Sequence, residues 1–232
     1  MCRWIRRRLR WTLSRFALYR IPRRRTLMFT SRCPIRIDLA GGTIDIWPLY
    51  LMVPEAKTIP LAINLFAEST FKPRTDSKIV MCSKDLNKTI ETDWVEVNSG
   101  KHFDESVLLS AYLLKHFSES FGEQGIEITT FCQSPVGAGL GGSSALNISL
   151  VAGLYHVLGE QKTEHDWIEL AKDTESVILN GPAGLQDYCA ASFGGLNSFE
   201  WGAAETTVDR FEDSVAEKIS QRVILFYSGK SR

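Results

Sequence analysis

The chain has 232 residues, 44% hydrophobic and 23% charged. That is enough for one large domain, or one domain and part of another, with a core that needs no disulfide or metal support. The formal net charge of +0 hides a division: residues 1–25 carry ten Arg and no acid, and the remainder has 17 basic against 27 acidic residues, a balance that excludes a nucleic-acid-binding body.

Cys2, Cys33, Cys82, Cys132 and Cys189 form no C-x-x-C pair, and His102, His116, His156 and His165 lack ligand spacing. A zinc site is not expected, and a reducing, cytoplasmic setting is. In chain order, residues 1–27 read as a basic extension outside the fold, mixing Arg with Trp4, Leu9, Trp11, Leu13, Phe16 and Leu18. It contains no apolar run long enough for a signal peptide or a transmembrane helix. A nucleic-acid arm, a membrane-surface helix, an organelle presequence and no function at all stay open for it. Met28 is a candidate start.

Residues 28–220 read as the main domain. Alternation over 33–39 predicts a half-buried strand, broken by Ala40-Gly41-Gly42-Thr43 into a tight loop. Strands are predicted over 58–72 and 77–83, turning at Pro73 and Asp76, and over 90–97, ended by Asn98-Ser-Gly100. Asp104 caps a helix to about 117. Residues 125–133 are β-rich, and 144–158 form an apolar helix closed by Gly159. Thr163 and Asp166 resemble a capping box, opening a helix to about 179 that Asn180-Gly-Pro182 stops. A short helix over 185–191 and a strand through Phe199 follow. Residues 222–227 predict a last strand. The pattern is α+β, without alternating βα units.

Residues 135–145, PVGAGLGGSSA, put small residues between a strand and a helix. Gly137, Gly139, Gly141 and Gly142 let the backbone approach a bulky anion and turn its N–H groups inward. The helix start near Ser143 or Ser144 adds unpaired amides, and the two hydroxyls suit a metal ion or phosphate oxygen. Gly137-x-Gly139-x-x-Gly142 formally satisfies the dinucleotide fingerprint, but lies deep in the chain with no second βαβ half. Gly229-Lys230-Ser231 mimics the end of a Walker loop, yet Ile224 stands where that motif needs Gly. Downstream, Glu175 and Asp187 flank the 180–184 turn, which can fold both carboxylates toward one site. Phosphoryl transfer needs a hard oxygen ligand for Mg²⁺ and a carboxylate near the accepting hydroxyl. Glu175 suits the first role, with Asp173 its rival, and Asp187 the second.

These blocks resemble the GHMP kinases (galactokinase, homoserine kinase, mevalonate kinase, phosphomevalonate kinase). Residues 135–145 are similar to the family's P-x-x-x-G-L-G-S-S-A loop, with Gly142 at its first Ser. Residues 34–45, PIRIDLAGGTID, are similar to the R-x-D-x-x-G-G-x-x-D motif of the heptose-7-phosphate kinase and fucose kinase branch. Gly184-Leu-Gln-Asp187 followed by Phe193-Gly-Gly195 resembles that branch's G-x-Q-D segment. The likeness spans about residues 30–232.

The resemblance implies a GHMP-kinase-like N-terminal domain with a mixed sheet and packed helices. Residues 221–232 would enter a C-terminal ferredoxin-like domain, mostly absent, and the face left without it would favour self-association. ATP would sit on Pro135, Gly137, Ala138, Gly139, Leu140, Gly141, Gly142, Ser143 and Ser144, with Mg²⁺ on Ser143 and Glu175. Asp187 would be the catalytic carboxylate, with Arg36 beside the reacting groups. Arg36, Asp38, Gly41, Gly42 and Asp45 would meet a sugar or sugar-phosphate substrate. Thr43-Ile44 departs from the branch's commoner Gly-Thr. The implied activity is transfer of the ATP γ-phosphate to a sugar hydroxyl, impaired in so short a chain. An inactive nucleotide- or partner-binding fragment and a mevalonate-type kinase are the alternatives.

Overall fold

The computed structural model describes residues 17–18, 28–100, 102–203 and 205–229. Most of the basic extension, residues 1–16 and 19–27, therefore lies outside the described residues. Within it, β1 (Ala17–Leu18) pairs antiparallel with Ser31 and Arg32 of β2 (Phe29–Ala40).

The frame is the long antiparallel pair of β2 and β3 (Lys57–Pro73), in register from Phe29 opposite Phe71 to Ala40 opposite Ile59. The register shifts between Pro34 and Arg36 and again between Asp38 and Ala40. Pro34 has no N–H to give the ladder, and a bulge beside it re-aims the strand. Next come β4 (Ile79–Ser83), β5 (Lys88–Thr92), the short helix α1 (Trp94–Asn98), α2 (Leu108–His116), α3 (Ser118–Phe121) and β6 (Ile126–Cys132). The helical half holds α4 (Gly142–Leu158), α5 (Glu164–Leu179) and α6 (Gln186–Phe193), and the hairpin β7 (Asn197–Trp201) and β8 (Thr206–Arg210) precedes α7 (Asp213–Ser220).

The sheet order is β1-β2-β3-β6-β4-β5, with β4 and β6 parallel and the other pairings antiparallel. β7 pairs with the first residues of β3, and β8 with β7. Thus β3 joins two parts of the sheet.

α4 is apolar nearly all round, as a helix surrounded by protein must be, and it buries Ala145, Ile148, Leu150, Val151 and Leu154. It lies on β2 and β3 with α5 and α6 against it. Gly153 sits so close to Phe71 of β3 that a Cβ there would fall 2.1 Å from the ring. One helical turn earlier, the Ser149 and Ser69 hydroxyls bond at 2.5 Å. Two contacts thus pin the helix to the strand. The capping box is present: Thr163 accepts from the Asp166 amide and Asp166 from the Thr163 amide.

Three expectations change. The strand over 90–97 stops at Thr92, because Asp93 accepts the Glu96 amide at 2.9 Å and opens α1. This cap overrides the β preference of Val95 and Val97. No element was foreseen between 203 and 220, where β8 and α7 stand. The segment 222–227 is not a strand. Val223, Leu225 and Tyr227 are half-buried while Ile224 and Phe226 are exposed, an alternation without the ladder that makes a strand. Also among these residues, no helix is long and apolar enough to cross a membrane.

Candidate active site

The 135–142 loop leaves β6 and enters α4. Gly137, Gly139 and Gly141 have φ of +70°, +72° and +68°, and the residues between them do not share the positive sign. Such alternation gathers successive N–H groups into an anion-binding concavity, and side chains other than Gly resist it. α4 has no side-chain cap; its first turn closes from the Ala145 amide to the Gly141 carbonyl at 3.0 Å. The amides of Gly142, Ser143 and Ser144 precede that bond and face the loop's concavity with the positive end of a 17-residue helix.

Strand β2 holds the loop in place. The Arg36 amide donates to the Leu140 carbonyl at 3.1 Å, and its guanidinium donates to the Gly139 carbonyl at 2.8 Å. The same guanidinium grips Asp187, with Nε and a terminal nitrogen each 2.6 Å from Oδ1. Gly141 packs on that carboxylate, where a Cβ would lie 3.1 Å from it. The loop, Arg36 and Asp187 are one bonded unit.

Glu175 of α5 reaches the start of α4. Ser143 donates to its Oε1 at 2.8 Å and Ser144 to its Oε2 at 3.2 Å. Asp173 is the residue that does not converge: its side chain is 68% exposed beside Lys172. A third hydroxyl, unforeseen from sequence, completes the group: Tyr188 donates to Glu175 Oε2 at 2.5 Å. Burial, and then the charge of Glu175, push the Tyr188 phenol well up, so it stays a donor. The available signal was a Tyr next to Asp187 at an apolar helix position, since a buried phenol seeks a partner.

Asp45 is 2% exposed, and its Oδ2 accepts the Gln186 amide at 2.9 Å. It caps α6, which has no side-chain cap from its own N-cap residue, Leu185. Gly184 presses on it, with a Cβ position 2.4 Å from Oδ2. Burial, and to a lesser degree Asp187, raise the Asp45 pKa against the pull of the Gln186 amide. Asp38 is exposed, and Gly42 lies against its carboxylate, where a Cβ would meet Oδ2 at 1.9 Å. Gly41 lies as close to the Lys57 carbonyl. Of the expected substrate residues, Arg36 and Asp45 therefore converge on α6, whereas Asp38, Gly41 and Gly42 form an adjoining exposed turn.

A cavity of about 390 Å³ runs from the loop, Glu175 and Asp187 to Ser83, Asp85, Leu86, Glu105, Ser106 and Leu109. Its far end, built by the β4–β5 turn and the start of α2, has no sequence motif. Among the described residues no group of three or more His, Cys, Asp or Glu gathers to hold a metal. Glu175 with the Ser143 hydroxyl instead offers hard oxygens at the anion loop, the donor set by which Mg²⁺ is shared between a protein and phosphates.

Residues 108–195, from α2 to the end of α6, match the profile of the GHMP kinases N terminal domain. Over that segment the chain is similar to the GHMP kinase N-terminal domain. It is 29% identical over 209 residues to the D-glycero-alpha-D-manno-heptose 7-phosphate kinase of Campylobacter jejuni, covering 87% of this chain and 60% of that protein. It is 28% identical to the L-fucokinase/L-fucose-1-P guanylyltransferase of Bacteroides fragilis, over 68% of this chain and 18% of that one. The crystal structure of a D-glycero-D-manno-heptose 1-phosphate kinase from Bacteriodes thetaiotaomicron superposes with a TM-score of 0.71 at 25% identity, over 80% of this chain and 60% of that chain. These relatives are named as sugar or sugar-phosphate kinases, and the chain spans about 60% of the length of the heptose-phosphate kinases it matches.

Proposed function

We propose that this chain supplies the nucleotide site and the catalytic carboxylate of an ATP-dependent kinase acting on a hydroxyl of a sugar or sugar phosphate. The observation that carries the reading is the Arg36 guanidinium, which joins Asp187 to the Gly139 carbonyl and so fixes a carboxylate at the lip of an anion-binding loop. The triphosphate would lie on the amides of residues 137–144, and the nucleoside in the cavity toward Leu86 and Leu109. Glu175 and Ser143 would hold Mg²⁺, which when bound offsets the phosphate charge. The hydroxyl oxygen of the acceptor forms the new bond to the γ-phosphorus as the bond to the β,γ-bridging oxygen breaks. ADP leaves, and Asp187 takes the hydroxyl proton. Arg36 sets the direction of that carboxylate, and positioning of this kind supplies much of the rate of phosphoryl transfer.

The sugar class follows from the relatives' names together with the Arg36, Asp38 and Asp45 block. Titration of the chain with ATP, followed by phosphate transfer to heptose 7-phosphate, fucose and galactose, tests it. Nucleotide binding with transfer abolished by Asp187→Asn is the expected result. No nucleotide binding would sink the reading, and so would transfer that survives Asp187→Asn. Binding without transfer to any sugar would favour the nucleotide-binding fragment instead.

A further inference from the structure

Glu175 is held unevenly. Its Oε1 takes one hydroxyl, from the exposed side at Ser143, and its Oε2 takes two, from Ser144 and Tyr188. Tyr188 is 1% exposed, sits on α6 directly after Asp187, and packs in the main core. Its ring cannot swing away without opening that core, so its hydroxyl is a fixed point from which Oε2 hangs. The carboxylate then has one free choice of direction, with Oε1 and Ser143 turned to the cavity. A ligating carboxylate whose second oxygen is hydrogen-bonded is aimed before its ion arrives, and removing such an outer partner weakens metal binding by about 10–100-fold.

We propose that Tyr188 is a positioning residue for divalent-cation binding: with Ser144 it locks Glu175 Oε2, so that Oε1 and the Ser143 hydroxyl form the cation-facing pair. This rests on the Mg²⁺–nucleotide reading above and adds a residue to it. Because Tyr188 and Asp187 are neighbours on one helix, the lock also ties the cation side of the site to the carboxylate side. A shift of α6 moves both.

The test is fluorescence titration of the whole chain with methylanthraniloyl-ATP, in excess Mg²⁺ and in EDTA. The wild type is expected to bind more tightly with Mg²⁺. Tyr188→Phe deletes one oxygen and keeps the ring; it should lose about tenfold of the Mg²⁺ enhancement and leave the affinity in EDTA unchanged. A merely structural role would instead lower both affinities together, and that outcome overturns the proposal, as does an unaltered enhancement. Glu175→Gln should also lose the enhancement, and Tyr188→Phe added to it should remove nothing more; additive losses overturn the proposal. Should Tyr188→Phe not fold, Ser144→Ala removes the other donor to Oε2, and an undiminished enhancement there counts against the lock. A wild type that binds the probe equally in both buffers defeats the cation reading and this inference together. A wild type that responds to Mg²⁺ while Tyr188→Phe matches it defeats this inference alone.

Discussion

Arg36 and Asp187, 151 residues apart in sequence, meet at 2.6 Å, and the remaining arm of the same guanidinium holds the Gly139 carbonyl at 2.8 Å. The Arg36 side chain is 10% exposed and that of Asp187 24%, so both groups are largely withdrawn from water. Arg36→Ala should cost about 3 kcal/mol of folding stability, since it strands a carboxylate and a carbonyl. Arg36→Lys should recover part of it, because a single ammonium cannot serve both acceptors in the planar geometry of the fork. Urea unfolding of the three proteins checks the order. Equal stabilities would mean the contact contributes nothing.

Asp45 yields a prediction with a sign. Its folded-state pKa is raised above the ordinary 3.8, chiefly by burial. A carboxyl raised on folding adds stability below its unfolded pKa and loses that contribution as pH rises through the folded value. The charge therefore costs stability at pH 7. Asp45→Asn keeps an oxygen for the Gln186 amide and should be more stable than wild type at pH 7, with the gap closing as pH falls toward 3.8. Asp45→Ala removes the cap and should be less stable than wild type by about 1 kcal/mol. Thermal unfolding across pH 3–8 reads both. If Asp45→Asn also abolishes sugar binding in a chain that binds sugar, the carboxylate has a substrate contact beyond capping α6.

Thr43 has φ of +80° at the third position of the turn closed by the Ile44 amide on the Gly41 carbonyl. That position in a type II turn favours Gly, and a β-branched residue there is strained. Since Thr43 is exposed, Thr43→Gly should lose little packing and raise stability by about 1 kcal/mol. A drop on chemical unfolding would show that the Thr side chain makes a contact worth more than its strain.

The cysteines report on the cavity. Cys132 lines it and is half-buried, with burial raising its thiol pKa; Cys33 and Cys189 are buried, with their thiols pushed far higher. Under native conditions Cys132 should react slowly with an aromatic disulfide reagent, and Cys33 and Cys189 not at all. Saturating ATP should protect Cys132, measured by mass spectrometry of the labelled peptides. Unprotected Cys132 would place the nucleotide elsewhere.

The parts of this molecule legible in sequence are those where one residue type has few reasons to be present. Alternate glycines before a Ser pair announce an anion loop, and Thr163 with Asp166 announces a helix start. What stayed hidden depends on neighbours. The five residues of β8 are all exposed, so no alternation marks them. Residues 222–227 alternate in exposure, yet none of them is in a strand. Asp93 outweighs two valines through a single amide bond. In the site, Glu175 and Asp187 could be proposed from their spacing about a turn. Tyr188 offered only its place beside Asp187, because in a hydrophobic pattern a phenol counts as an apolar ring until something shows where its oxygen points.

The seating of α4 on β3 carries a consequence for how the loop can change. With Gly153 flush on Phe71 and Ser149 bonded to Ser69, the helix behaves as a beam clamped at mid-span, and the loop is its free tip. Substitutions at the tip alter one amide or hydroxyl at a time and leave the beam where it is. A single methyl at Gly153 would instead tilt the beam and displace every amide of the tip together. Aiming the proposed anion site therefore depends on a residue that packs on Phe71, away from the loop itself.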